Sequence, residues 1–277
     1  MRDVFTQPSI TVIIPVLNER DALPQVLAAL PWNILSEVIV VDNGSTDGTG
    51  EIARQSGARV VYQPQQGYGA ACLAGIQSIQ QADIVVFLDG DYSDFPQELP
   101  QVIAPILKGH ADMVIGSRVQ GTSEPGALPP QVRWGNWLAV TLIRMLYGIQ
   151  YSDLGPFRAI RHSALQSLNM CDQGYGWTVE MQVRAAKIGL QIEEVPVRYR
   201  KRVGHSKISG TVRGCVLAGA KIISTILRYA VQPVECARPG MVTKPFPAST
   251  RSASPRKEPK ICLPKPLSDA RSSFTRP

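Results

Sequence analysis

Residues 84–91 read Ile-Val-Val-Phe-Leu-Asp-Gly-Asp: an apolar run stops at two carboxylates, Asp89 and Asp91, one glycine apart. Residues i and i+2 of an extended chain face the same way. Both carboxylates would therefore lie on one side of a strand end and form an oxygen-rich clamp for a hard divalent cation, the natural holder of a diphosphate. The plainer alternative is an acidic turn that closes a strand. Asp42, in VVDNGSTDGT, could accept a hydrogen bond from a base or ribose, or serve only the turn that Asp, Asn, Gly and Ser favour; Asp47 suits the cap of the helix that follows. Gly67-Tyr68-Gly69-Ala70-Ala71 opens a helix with small residues, which lets backbone approach a phosphate or lets the helix pack closely on a sheet. Arg118, in GSR, could hold a phosphate or pair with the acidic loop. Asp153, on a loop shaped by Gly and Pro, could contact sugar hydroxyls, act as a general base or cap a helix. Glu180, three residues after Trp177, suits a sugar or lipid head group as well as an ordinary helix face.

These residues need a frame, and the first half of the chain supplies one. Segments 9–15, 37–41, 58–62, 84–88 and 113–116 have the β-branched, apolar character of buried strands, and 21–30, 49–56, 67–79 and 100–108 the spacing of helices. This alternation predicts an α/β fold, a mostly parallel Rossmann-like sheet flanked by crossover helices. Ligands of such sheets bind beyond the carboxyl ends of the strands, where Glu19, Asp42, Asp89, Asp91 and Arg118 all fall. The second half reads as a Gly/Pro loop over 119–133, an apolar helix over 134–147, a loop over 150–158, helices over 162–168 and 177–188, a short strand over 194–199 and an apolar, amphipathic helix over 216–231. The expected organisation is one domain over 1–232, with a nucleotide-binding half at about 9–118 and an acceptor half at about 119–232, then a tail over 233–277.

The net charge of +7 suggests nucleic acid until it is located. Residues 233–277 hold nine Lys/Arg against three acids, which leaves the body near neutral and argues against a nucleic-acid partner. With nine prolines and little apolar surface, the tail is expected to be disordered. The five cysteines are widely spaced with no C-x-x-C, which indicates neither a zinc site nor a disulfide framework and fits a reducing compartment. No signal-peptide pattern opens the chain, and no apolar run is long enough to span a bilayer. Position 72 is Cys, so no G-x-G-x-x-G fingerprint is present, and the glycines follow the third strand; a nicotinamide dehydrogenase is excluded. Residues 198–213 hold six Lys/Arg and no acid directly before an apolar helix. A basic strip beside apolar surface suits a segment that lies on a membrane; the alternative is a core helix with a basic loop.

In this order the pieces resemble an inverting glycosyltransferase of family 2 with the GT-A fold, of the polyprenyl-phosphate (dolichyl-phosphate) mannosyl- and glucosyltransferase branch. The resemblance runs from about Ser9 to Tyr229 and rests on TVIIPVLNER, VVDNGSTDGT, FLDGDYSDFPQELP, MVIGSR, SDLGPFRAIR and RKRVGHSKISG. It implies that Pro15 and Glu19 line the nucleotide pocket and that Asp42 contacts the base. It further implies that Asp89 and Asp91 hold Mg²⁺ or Mn²⁺ with the donor diphosphate, Asp91 most directly. Arg118 and basic or polar residues of the next segment, Arg202, Ser206 and Lys207, would hold the donor diphosphate or an acceptor phosphate. Leu17 stands where relatives often carry Tyr, Ser93 where they often carry Gln, and LGPFR where many read SGFR.

The resemblance implies a nucleotide sugar, UDP- or GDP-linked, as donor and a polyprenyl phosphate as acceptor, with the protein peripheral on the cytoplasmic face of a membrane. Metal and basic residues would stabilise the departing nucleoside diphosphate. A lipid phosphate is already anionic and needs no strong base; a sugar hydroxyl would need one, for which Asp153 or Asp94 are the candidates. A sugar-phosphate nucleotidyltransferase would share sheet and acidic motif but normally carries a Gly-rich basic loop after its first strand, where this chain has PVLNER. A membrane-surface protein that binds nucleotide sugars without turning them over is the non-enzymatic alternative.

Overall fold

The computed structural model describes residues 7–204 and 212–231, with the backbone alone for 212–218. Ser206, Lys207 and the tail over 233–277 lie outside the described residues. In chain order the elements are β1 (Ile10–Val16), α1 (Leu23–Ala29), β2 (Glu37–Asp42), α2 (Thr49–Gln55), β3 (Arg59–Tyr62), α3 (Tyr68–Gln77), β4 (Ile84–Phe87) and α4 (Leu99–Leu107). They continue with β5 (Met113–Ser117), α5 (Pro130–Tyr147), β6 (Arg158–Arg161), α6 (His162–Ser167), α7 (Trp177–Lys187), β7 (Ile192–Pro196) and α8 (Val212–Val231).

The strands form one sheet in the order β3-β2-β1-β4-β6-β5-β7. All adjacent pairs are parallel except those of β6, which runs antiparallel to both β4 and β5. The unbroken apolar runs of the strands follow from burial on both faces. Val12, Ile14, Val40, Val86 and Val114 point into one layer with Leu23 and Leu27 of α1 and Val102 and Ile106 of α4. Their neighbours Ile13, Ile39, Val85, Phe87 and Ile115 point into the other, against α3, α5, α7 and α8. Period-two alternation of a strand thus feeds two cores at once.

Three elements depart from the sequence-based expectation. The loop expected over 150–158 leads first into β6, which inserts between β4 and β5, and only then into the expected helix, α6. Arg158-Ala-Ile-Arg161 has no apolar run to announce a strand; it becomes one because two neighbours offer it hydrogen bonds, and it is buried throughout. The strand expected over 194–199 is β7, two residues earlier, in register with Met113–Ser117. α5 begins at Pro130, before the apolar run, since proline at the first turn forfeits a hydrogen bond that no helix start can make.

Candidate active site

The chain runs from β1 outward to β3 and then returns to place β4 on the other side of β1. That reversal opens a crevice at the carboxyl ends of β1 and β4. A cleft of about 470 Å³ lies there, lined by Pro15 at the end of β1, Leu17 and Glu19 after it, Asn43 after β2, Tyr68 of α3, Asp89 and Asp91 after β4, the loop Gln173–Tyr175, and Arg202.

The two aspartates share this cleft as their spacing predicts. Gly90 between them lies so close to β1 that a Cβ would sit 2.6 Å from Val16 Cγ1, so only glycine fits. The Tyr68 hydroxyl donates to Asp89 Oδ1 at 3.0 Å. Burial, and after it the charge of Asp91, pushes the Asp89 carboxyl up to about 7. The Ser93 amide donates to Asp91 Oδ1 at 2.9 Å, and Arg202 Nη1 stands 3.3 Å from Asp91 Oδ2. Arg202 also donates to Glu19 at 3.1 Å, while its Nε is buried with no hydrogen-bond partner. Tyr92 follows at φ 62, an uncommon conformation for a bulky residue. It is pinned by Arg200, whose guanidinium lies 3.5 Å from the Tyr92 ring centroid and 3.8 Å from that of Phe95. The amides of Arg200 and Val203 donate to Ser93 and Asp91, so the basic segment is laced to the acidic turn.

This donor set fits a hard divalent cation. Two carboxylates converge on one cleft, where burial and their mutual repulsion raise the Asp89 pKa despite the nearby arginines. Among the described residues no group of three His, Cys, Asp or Glu side chains converges. Asp94 stands beside the pair, buried, with both carboxylate oxygens unpartnered. Burial, Asp89 and Asp91 raise its pKa well above the usual carboxylate range.

Arg118 and Asp153 meet at the foot of a second cleft. Arg118 Nε and Nη2 donate to Asp153 at 2.8 and 2.7 Å, and the Arg118 amide donates to Oδ2 at 2.8 Å. Burial works against the Arg118 charge, but Asp153 more than offsets it and holds the guanidinium above its ordinary pKa. The Arg118 guanidinium also lies over the Tyr199 ring at 5.1 Å. The second cleft, about 840 Å³, is walled by Leu128, Val132, Trp134, Trp137 and Val140. Trp134 and Trp137 remain more than half exposed.

Of the residues expected to act together, Pro15, Glu19, Asp89, Asp91 and Arg202 line the first cleft, and Arg118 and Asp153 the second. Asp42 ends β2 half-buried, with Oδ1 accepting from the Ser45 amide at 2.8 Å. Asp47 closes the same turn by accepting from Thr49 and from the Arg20 amide. Asn43 is the β2 residue on the cleft wall: its side chain donates to Gln63 and Gln65 and accepts from the Gly67 amide. Nothing in the sequence separates its role from that of Asp42 beside it. Trp177 and Glu180 turn inward and are fully buried, so the head-group alternative for that pair falls to the plain one.

The glycosyl transferase family 2 model matches residues 11–168. An uncharacterised glycosyltransferase of Mycobacterium tuberculosis is 38% identical over 213 residues, covering 76% of this chain and 94% of its own. The undecaprenyl-phosphate mannosyltransferase of Micrococcus luteus is 32% identical over 74% of this chain and 89% of its own. The dolichyl-phosphate hexose transferase of Haloferax volcanii is 34% identical over 80% and 96%. Among solved structures, glucosyl-3-phosphoglycerate synthase of M. tuberculosis, in complex with Mn²⁺, UDP-glucose and phosphoglyceric acid, superposes with a TM-score of 0.67 at 25% identity, over 82% of this chain and 81% of that one. With its α/β sheet, the paired aspartates at the strand-order reversal and these relatives, the chain belongs to glycosyltransferase family 2, is an enzyme that transfers glycosyl groups and has the GT-A fold.

Proposed function

We propose that the chain transfers a sugar from a UDP- or GDP-linked donor to a polyprenyl phosphate at a membrane surface, with inversion at the anomeric carbon and with Mg²⁺ or Mn²⁺. Residues 9–118 form the donor half and 119–232 the acceptor half of one catalytic domain. The observation that carries the reading is the convergence of Asp89, Asp91, Glu19 and Arg202 on one cleft at the carboxyl ends of β1 and β4. A divalent cation held by Asp89 and Asp91 would neutralise charge on the donor diphosphate and so favour its departure. Arg202, already between Asp91 and Glu19, has a buried Nε suited to a phosphate oxygen. Pro15 and the β2–α2 turn with Asp42 border the nucleoside end. Ser206 and Lys207 continue the basic segment and are assigned to phosphate by the motif alone.

The acceptor is read from the second cleft. Its tryptophans and aliphatic side chains suit an isoprenoid chain, and Arg118 at its foot and exposed Arg133 on its wall suit the phosphate. An acceptor phosphate oxygen attacks the anomeric carbon as the bond to the diphosphate breaks on the opposite face, and the nucleoside diphosphate leaves. The two candidate bases fit this acceptor better than a hydroxyl. Asp153 is taken up by Arg118, and Asp94 is buried, its pKa raised by burial and by Asp89 and Asp91. No helix among the described residues is long and apolar enough to cross a membrane. α5 instead presents exposed Trp134, Trp137 and Met145, which suit a membrane surface.

The test is nucleoside diphosphate release from a panel of UDP- and GDP-sugars with Mn²⁺, in the presence of polyprenyl phosphate vesicles, 3-phosphoglycerate or no acceptor. Glycosylated lipid with inverted configuration is expected from the vesicles alone. Glycosylation of 3-phosphoglycerate with no lipid product would replace the acceptor assignment. Binding of nucleotide sugar with no turnover on either acceptor would overturn the polyprenyl phosphate assignment.

A further inference from the structure

The loop after α6 forms one wall of the donor cleft, yet its anchors lie elsewhere. Gln173, Gly174 and Tyr175 face the cleft. The carbonyls of Gln173 and Gly174 accept from the amides of Ala70 and Gly69 at 2.9 and 3.2 Å. The approach is so close that a Cβ on Gly69 would meet the Asp172 carbonyl oxygen at 2.0 Å. The loop and the start of α3 are therefore one unit.

Two carboxylates hold that loop from behind. Glu180, fully buried on α7, accepts from the Cys171 amide at 3.1 Å and the Asp172 amide at 2.7 Å. Asp172 in turn accepts from the Gly174 amide at 2.8 Å, which closes the turn. Glu180 also pairs with Arg184 of its own helix at 3.0 Å, and each of the two carboxylates has a further partner on α8. The Tyr229 hydroxyl donates to Glu180 Oε1, and Lys221 Nζ lies 2.9 Å from Asp172 Oδ2. Thr225 is buried between them against Gly176, where a Cβ would meet its Oγ1 at 2.5 Å. Positions 221, 225 and 229 recur at the spacing of one helix face, so a single face of α8 meets a single loop. Neither Lys221 nor Tyr229 lines the cleft.

We propose that α8 clasps the donor wall, and that Lys221 and Tyr229 are positioning residues that set nucleotide affinity by holding residues 171–175, through Asp172 and Glu180, against α3. The inference rests on the reading of that cleft as the nucleotide-sugar site. A wall held in place before the ligand arrives spares the ligand the cost of ordering it. Loosening it weakens donor binding and leaves the bond-breaking step, set by Asp91 and its neighbours, at its former rate.

The test uses Lys221→Ala, Tyr229→Phe and the double variant in the full chain, with binding of UDP and GDP in Mn²⁺ measured by calorimetry beside donor KM and kcat. The double variant is expected to weaken nucleotide binding and raise donor KM by about tenfold, with kcat within about twofold of the parent. Lys221→Arg, which keeps the ion pair, is expected to restore parental affinity; Lys221 is half exposed, so its variants test the clasp even if Tyr229→Phe unfolds. Parental nucleotide affinity in the double variant, or a fall in kcat at unchanged affinity, would overturn the clasp and leave the donor assignment standing. A parent chain that binds neither nucleotide would overturn both.

Discussion

The two clefts are built from different material. The donor cleft is framed at strand ends by bonds from backbone amides to side-chain oxygens: Ser93 to Asp91, Ser45 to Asp42, Gly67 to Asn43. Its polar groups are fixed before any ligand arrives. The outer cleft is framed by one helix and the long connection after β5, and its largest side chains, Trp134 and Trp137, stay more than half exposed. Fixed polar groups suit a ligand of defined shape and charge, whereas adaptable aromatic surface suits a long, featureless one. Arg118 and Asp153 form a buried ion pair at the foot of the outer cleft.

The sharpest way to break this comparison is at the donor cleft. Asp91→Ala is expected to lower transfer by about a thousandfold or more, with an unchanged circular dichroism spectrum; unchanged turnover would refute the role of the aspartate pair. Next comes the ion pair at the foot of the outer cleft. Asp153→Asn leaves the Arg118 charge buried without its counter-charge, at a cost of about 3–5 kcal/mol, which a denaturant titration reads directly; a midpoint equal to the parent's would show that the pair does not stabilise the fold. The outer cleft should respond more gently and more selectively. Trp134→Ser with Trp137→Ser is expected to lower transfer to vesicle-borne polyprenyl phosphate by about tenfold while nucleotide affinity holds; equal losses in both would dissolve the division between the clefts.

The smallest effect is on pH. The Asp89 carboxyl titrates at about 7 in the folded chain, above the ordinary value near 3.9 of an unfolded aspartate. The folded state therefore binds this proton more tightly. Its contribution to stability is full below pH ~4 and is lost as pH rises through about 7. In metal-free buffer the melting temperature is expected to fall from pH 5 to pH 8, and Asp89→Asn to flatten that slope. Parallel slopes for parent and variant would mean that Asp89 is ionised in the folded chain at the lower pH.

Much of the donor cleft was legible because its signals are local. An apolar run that stops at Asp-Gly-Asp marks a strand end within eight residues, and PVLNE and VVDNG do the same after β1 and β2. What could not be read depends on distant partners. β6 is four residues with an arginine at each end, a strand only because β4 and β5 accept it. Glu180 looks like an exposed helix position until Cys171, nine residues away, and Tyr229, forty-nine away, meet it in the core. The wall Gln173–Tyr175 carries no motif, and its place follows from contact with Gly67 and Gly69, whose small size was the one visible hint.

The inserted strand β6 also sets an order in time. β5 never bonds to β4; both bond to Arg158–Arg161, which the ribosome delivers much later. Until then a nascent chain offers the bare edge of β4, a template on which a second copy could pair. That edge of β4 is closed only when Arg158–Arg161 has emerged and paired, so chains arrested short of it are expected to self-associate more than chains arrested well beyond it.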